Sequence, residues 1–192
     1  MEFILASASP RRKDLLEQIG IKAQILPSEF QEASSGEDVY QLLETNTLGK
    51  LNDVEGKVLN TDKVIIAADT VVVLDGRILG KPADLHEAVS MLESLSGREH
   101  SVLTGLAISY AGKRNYQFLE TKVKFKTLTK DEIYSYVNTG EGLDKAGGYA
   151  VQGLGAVFVE KIKGCYNNVV GLPLNLLYSM LNCWQIKTPK LK

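Results

Sequence analysis

Along the chain, short apolar runs alternate with segments whose apolar residues recur every three or four positions. The run at 3–6 predicts a strand, and "PRRKDLLEQI" at 10–19 places Leu15, Leu16 and Ile19 at helical spacing. "IKAQIL" at 21–26 predicts a second strand, "SEFQEASSG" at 28–36 a loop, and 37–54 a helix of weak periodicity. "KVIIAADTVVVLDGRILGKP" reads as two apolar strand segments, the second returning through the hairpin dipeptide Asp75-Gly76. Asp84 followed by Glu87 is a capping-box pattern opening a helix that ends near Gly97. Strand patterns at 99–110 and 115–126 flank the polar turn "AGKR", and Thr129 with Glu132 caps a helix that stops at Gly140. A Gly-rich loop, "DKAGGYAVQGLG", leads into the strand pattern "AVFVEKI". Pro173 then opens a last apolar helix, and 187–192 reads as a frayed tail. Strands alternating with helices, plus two hairpins, predict an α/β fold with a mixed sheet flanked by helices. No Pro- or Gly-rich linker marks a domain boundary across residues 1–192.

Composition narrows the partners. With 192 residues, 44% of them hydrophobic and 23% charged, the chain can form one sizeable core or two small lobes sharing a sheet. A net charge of −1 gives no overall pull toward nucleic acid or a membrane surface, so an anion site must be local. Aromatic residues make up 7% and no basic stripe is interleaved with them, which argues against a nucleic-acid module. Cys165 and Cys183 are too few for a disulfide framework or a zinc site, and fit a reducing, cytoplasmic setting. Neither a signal-peptide pattern nor a membrane-length apolar run is visible.

Against this background two features carry chemistry. Arg11 and Arg12 stand in the first turn of a helix, where the backbone dipole is positive and acidic residues are preferred. "ASASP" ahead of them lets a ligand approach the backbone, Ser9 can cap the helix, and Pro10 suits its first position. A phosphate at this terminus would make the pair favourable; two solvated arginines on an ordinary helix are the plain alternative. Asp69 interrupts an apolar run, so it should sit at a strand end facing a cation, a metal or a cleft, or else serve a turn. "GRILGKP" lacks the spacing of a phosphate loop, although Lys81 is kept as a phosphate contact, and "GGYAVQGLG" lacks the dinucleotide order. His86 and His100 read as solvated and structural, and the zinc-hydrolase and serine-hydrolase motifs are missing. Glu29, Glu32 and Asp69 are the acids available to a magnesium ion, with at least one of the two glutamates only surface charge.

Four stretches, "ILASASPRRKDLL", "IIAADTVVVLDGRILGKP", "MLESLSGREHSVLTG" and "DKAGGYAVQGLGAVFVEKIKGCYNNVVGLPL", together resemble the Maf family of nucleoside triphosphate pyrophosphatases. They stand in family order and cover most of residues 3–177. The resemblance implies a fold shared with inosine triphosphate pyrophosphatases, one domain of two lobes around a cleft, a homodimer and a divalent cation (Mg²⁺ or Mn²⁺). It also implies hydrolysis of a nucleoside triphosphate to monophosphate and pyrophosphate, in a house-cleaning role. On the matching positions, Asp69 is implied as catalytic and, with Glu32, metal-associated. Ser7, Arg11, Arg12 and Lys81 are implied as phosphate-binding, and Lys145 and Gln152 as parts of a loop closing over substrate. Arg11, Thr70 and Gln152 look like the branch acting on dTTP and UTP rather than the 7-methyl-GTP branch. One segment departs: "LLETNTLGKL" stands where the family has small apolar residues around a lysine, with Lys50 as the counterpart and so implied as a further phosphate-binding residue. A nucleotide-binding regulator of cell division with little turnover is the alternative reading.

Overall fold

The computed structural model describes residues 1–33, 38–58, 62–186 and 188, so all of the expected tail but Thr188 lies outside the described residues. Contacts group the chain into two compact units: Met1–Asp69, Thr104–Leu119 and Gly171–Lys192 form the first, Thr70–Leu103 and Glu120–Val170 the second.

In the first unit, β1 (Phe3–Leu5) lies parallel between β2 (Ala23–Ile25) and β3 (Val64–Leu74), with Phe3 opposite Ala23 and Val64. Parallel neighbours require crossovers, which α1 (Pro10–Gln18) and α2 (Val39–Lys57) supply. α6 (Leu174–Cys183), the apolar helix after Pro173, completes this unit. The weak periodicity of α2 has a physical cause, because the helix is covered on two sides. Leu51 and Val54 pack with Ile4, Ile65, Ala67 and Ala107 in the core. Another stripe, Asn46, Gly49, Lys50, Asp53 and Lys57, faces the loop at 28–33 and consists of polar residues and one glycine. Two buried faces of opposite polarity cancel the amphipathic signal that a singly buried helix shows.

The second unit begins where β3 passes Asp69. Its far half turns through Asp75 (φ 50°) and Gly76 (φ 76°) into antiparallel β4 (Arg77–Leu79), the two left-handed residues of a tight hairpin. α3 (Leu85–Leu95), β5 (Glu99–Tyr110), β6 (Lys113–Phe125), α4 (Lys130–Val137), β7 (Val159–Lys163) and α5 (Tyr166–Val170) follow along the chain, with Thr104–Leu119 of β5 and β6 counted in the first unit. The strand order is β2-β1-β3-β5-β6-β7, with β4 against β3, which is the expected mixed sheet. Leu92, Leu95, Val102, Val123 and Phe125 form the core of this unit with Tyr136, Tyr149 and Phe158.

Local expectations are corrected at several points. Ser9 occupies the N-cap position of α1 but its side chain makes no capping bond; instead its N–H donates to Ser7 Oγ at 3.2 Å. Thr129 and Glu132 form the full reciprocal capping box, whereas Glu87 accepts from Ala83 N–H rather than from the cap residue Asp84. β3 is one continuous strand through Asp69, which therefore sits mid-strand and not at a strand end. The first three residues of "AVFVEKI", 156–158, lie in a 3₁₀ turn and the strand begins at Val159, and the short α5 carries no periodic signal.

His100 bears out its structural reading. It is buried, its Nε2 lies 2.8 Å from Tyr149 Oη, and its ring meets Phe125 edge-on. Burial pushes its pKa down to about 4, with Glu99 pulling weakly the other way. Between that value and the ordinary 6.5, the unfolded chain binds a proton that the folded chain refuses. Stability is therefore lost as pH falls through this window, by about 3 kcal/mol in total. Urea unfolding of wild type and His100→Gln at pH 7 and pH 4 checks this: the acid-induced loss should shrink by about that amount in the variant. An equal loss in both chains would remove His100 as the responsible group.

Candidate active site

Five of the residues singled out in the sequence come together in the first unit. β1 delivers the turn at Ser7 and the start of α1, while β3, one strand over, delivers Asp69. Asp69 is only 5% exposed and Lys50 only 8%, and Lys50 Nζ donates to Asp69 Oδ1 at 2.6 Å. The same ammonium lies 2.8 Å from Glu32 Oε1, a more open carboxylate. A buried carboxylate is thus matched by a buried ammonium, which is the condition for leaving either charge in a sheet interior.

The loop that brings Glu32 is fastened to α2 by the polar stripe of that helix. Asn46 exchanges two hydrogen bonds with Ala33, accepting from its N–H at 2.9 Å and donating to its carbonyl at 3.0 Å. Asp53 Oδ2 accepts from Ser28 Oγ and Glu29 N–H, and Lys57 reaches both Asp53 and Glu29. Backbone and side-chain bonds from the loop, with Lys57, hold the Asp53 carboxyl below its ordinary pKa. Between these anchors Phe30 lies on Gly49 so closely that a Cβ there would fall 2.4 Å from the ring. Glu29 is therefore bound up with a surface lysine, while Glu32 is the loop glutamate that faces Asp69 through Lys50.

Arg12 completes the cluster. Its Nε donates to the Gly171 carbonyl at 2.8 Å and its Nη1 to Ser7 Oγ at 3.2 Å, which fixes the guanidinium plane. Burial lowers its pKa, the charges of Asp69 and Glu32 oppose that, and Arg11 adds repulsion. Arg12 in the first turn therefore sits in the field of two acids that lie elsewhere in the sequence. Tyr116 Oη is a further buried polar atom without a hydrogen-bond partner among the described residues; burial, Glu44 and Asp69 push it up to about 12.

Thr70, Lys81, Lys145 and Gln152 belong to the second unit. There Gly147 N–H donates to the Gly80 carbonyl at 2.9 Å, so the loop carrying Lys145 meets the segment carrying Lys81. Lys145 pairs with its neighbour Asp144, while Lys81 and Gln152 are exposed. Sequence reasoning missed the supporting residues Asn46, Asp53 and Gly49, and the carbonyl of Gly171. The polar positions 46, 50, 53 and 57, spaced by four, three and four, were the available signal.

Glu32 and Asp69 reach one cation, the Lys50 ammonium, and among the described residues no group of three or more His, Cys, Asp and Glu gathers. Two carboxylates sharing one cation suit a magnesium-like ion, which takes only one or two protein carboxylates. The same region offers fixed cationic donors to an anion and a buried carboxylate that can accept a proton.

Known proteins bear on this geometry. A family model described as Maf-like protein matches residues 2–184. A dTTP/UTP pyrophosphatase of Carboxydothermus hydrogenoformans is 48% identical over 186 residues, spanning 96% of this chain and 99% of the relative. One of Desulforamulus reducens is 45% identical over 191 residues, spanning 96% and 97%. Among solved structures, the Staphylococcus aureus Ham1 protein aligns with a TM-score of 0.51 at 14% identity, covering 96% of this chain and all of that one. That last likeness shows the fold alone.

Proposed function

The chain belongs to the Maf family, and we propose from that premise that it hydrolyses dTTP and UTP between the α and β phosphates, releasing the monophosphate and pyrophosphate. The observation that carries this reading is the buried Lys50–Asp69 pair beside Arg12, in a chain similar over nearly its whole length to dTTP/UTP pyrophosphatases.

A divalent cation held by Glu32 and Asp69, when bound, would offset the charge of the triphosphate. The remaining work falls to the side chains of this chain. Arg12, already oriented by Gly171 and Ser7, is pre-organised to attract a phosphate, and Arg11, Lys81 and Lys50 add charge. Asp69 accepts the proton of the attacking water, and Lys50 fixes the orientation of its carboxylate. Departure of pyrophosphate needs charge stabilisation more than covalent help, which fits a site of cations and acids. Thr70, Gln152 and Arg11 select the pyrimidine, and Lys145 and Gln152 close over the substrate. The same reading places the enzyme in the cytoplasm as a homodimer. Among the described residues no helix is long and apolar enough to cross a membrane.

The test is pyrophosphate release from a panel of dTTP, UTP, 5-methyl-UTP, pseudouridine triphosphate and 7-methyl-GTP with Mg²⁺ or Mn²⁺. Preference for the pyrimidines supports the reading; preference for 7-methyl-GTP overturns the branch, and tight binding without release points to a regulator. Within that assay Arg12→Ala should raise KM and lower kcat together, reducing kcat/KM roughly 10–100-fold, because the phosphate is held before and during reaction. Arg12→Lys should not rescue it, since an ammonium cannot span Gly171, Ser7 and a phosphate as the planar fork does. Normal kinetics with lowered thermal stability alone would return Arg12 to a structural role.

A further inference from the structure

The loop carrying Lys145 and Gln152 has little regular structure, only 3₁₀ turns at Ala146–Gly148 and Leu154–Phe158. Two successive glycines, Gly147 (φ 72°) and Gly148 (φ 71°), take it through the left-handed region, and glycine is the residue with the most backbone freedom. Such a segment keeps one position only if its neighbours are pinned. Ala150 N–H donates to Tyr136 Oη at 3.0 Å, and Glu141 accepts from Leu154 and Gly155 N–H at 3.0 and 3.1 Å. Gly147 N–H donates to the Gly80 carbonyl at 2.9 Å, and a further pin is Tyr149 itself, next to the glycines, whose hydroxyl lies 2.8 Å from His100 Nε2 on β5.

This last contact is costly as pure packing. Both side chains are buried, at 5% and 3% exposure, in a cluster of rings with Phe125. His100 Nδ1 is buried and has no hydrogen-bond partner among the described residues. Two phenylalanines would fill the same space without an orphaned nitrogen. What the polar pair adds is direction: the hydrogen bond fixes how far Tyr149 can rotate or withdraw, and with it the backbone on either side. Lys145 stands four residues before Tyr149 and Gln152 three after.

We propose that the His100–Tyr149 hydrogen bond sets the position of the loop presenting Lys145 and Gln152, which makes both residues positioning residues for turnover. The proposal rests on the pyrophosphatase reading for its kinetic consequence, but not for its structural one. With dTTP and Mg²⁺, Tyr149→Phe should lower kcat/KM about tenfold, mainly through KM, because small displacements of binding groups are felt strongly. His100→Phe should reproduce that loss, while His100→Gln, whose amide can still reach the hydroxyl, should stay within about threefold of wild type. In a chain already carrying Lys145→Ala and Gln152→Ala, Tyr149→Phe should change kcat/KM by less than about twofold while lowering Tm as before. Amide hydrogen exchange over 144–153 should speed up in Tyr149→Phe whether or not the enzyme is turning over. Wild-type kcat/KM in both Phe variants, a loss of equal size without Lys145 and Gln152, or unchanged exchange would each overturn the anchor. A wild type that releases no pyrophosphate from dTTP would instead overturn the functional reading, and the exchange measurement would still decide the anchor.

Discussion

Asp69→Asn is expected to lower kcat for dTTP by about 10³-fold while leaving nucleotide binding largely intact, measured by pyrophosphate release and by calorimetric titration with dTTP. The substitution is nearly isosteric, and the amide oxygen can still accept from Lys50 Nζ, so β3 and the cluster should hold together. What is lost is the ability to take a proton, together with the negative charge that Glu32 alone cannot replace at that point of the strand. A binding defect as large as the turnover defect would make Asp69 a substrate-holding group. Unchanged turnover would end its assignment as the base.

Lys50→Met should be the most damaging single change to stability in the site. Methionine fills the stem of the lysine but leaves the 5%-exposed Asp69 carboxylate without its cation, with Glu32 nearby. Breaking a buried pair from one side costs roughly 3–5 kcal/mol, a large part of the stability of a typical domain. Glu32 is open enough to be screened by solvent, so the loss belongs to Asp69. Adding Asp69→Asn to Lys50→Met should recover most of the stability, because both charges are then gone, but none of the activity. Denaturant unfolding of the two single variants and the double variant reads this directly. If the double variant is as unstable as Lys50→Met alone, packing of the lysine stem outweighs its charge.

Elements announced by local chemistry were readable in advance: the Asp75-Gly76 hairpin, the Thr129–Glu132 capping box, and the mixed sheet from the alternation of runs. Asp69 was legible as a misfit because a carboxylate in an apolar run needs a partner, but the partner was not. Lys50 lies on a helix 19 residues earlier, and only tertiary packing brings the two together. The resemblance supplied Lys50 where "LLETNTLGKL" gave no local reason to choose it. The loop at 28–33 carries no periodic signal, since side chains of another element fix it. The strand expected over 156–162 starts only at Val159, because an apolar run does not distinguish the 3₁₀ turn through Phe158 from extended chain.

The double covering of α2 also bears on how freely this segment can drift. An ordinary surface helix has about half its circumference available for neutral substitution. Here one arc is committed to the core, and a second is committed to Phe30, Ala33, Asp69 and the loop acids. What remains exposed outside those arcs is Tyr40, Gln41, Glu44, Thr45, Asn52 and Gly56. Change elsewhere in the helix must arrive in compensated pairs, so its unusual sequence would be held in place by history as much as by chemistry.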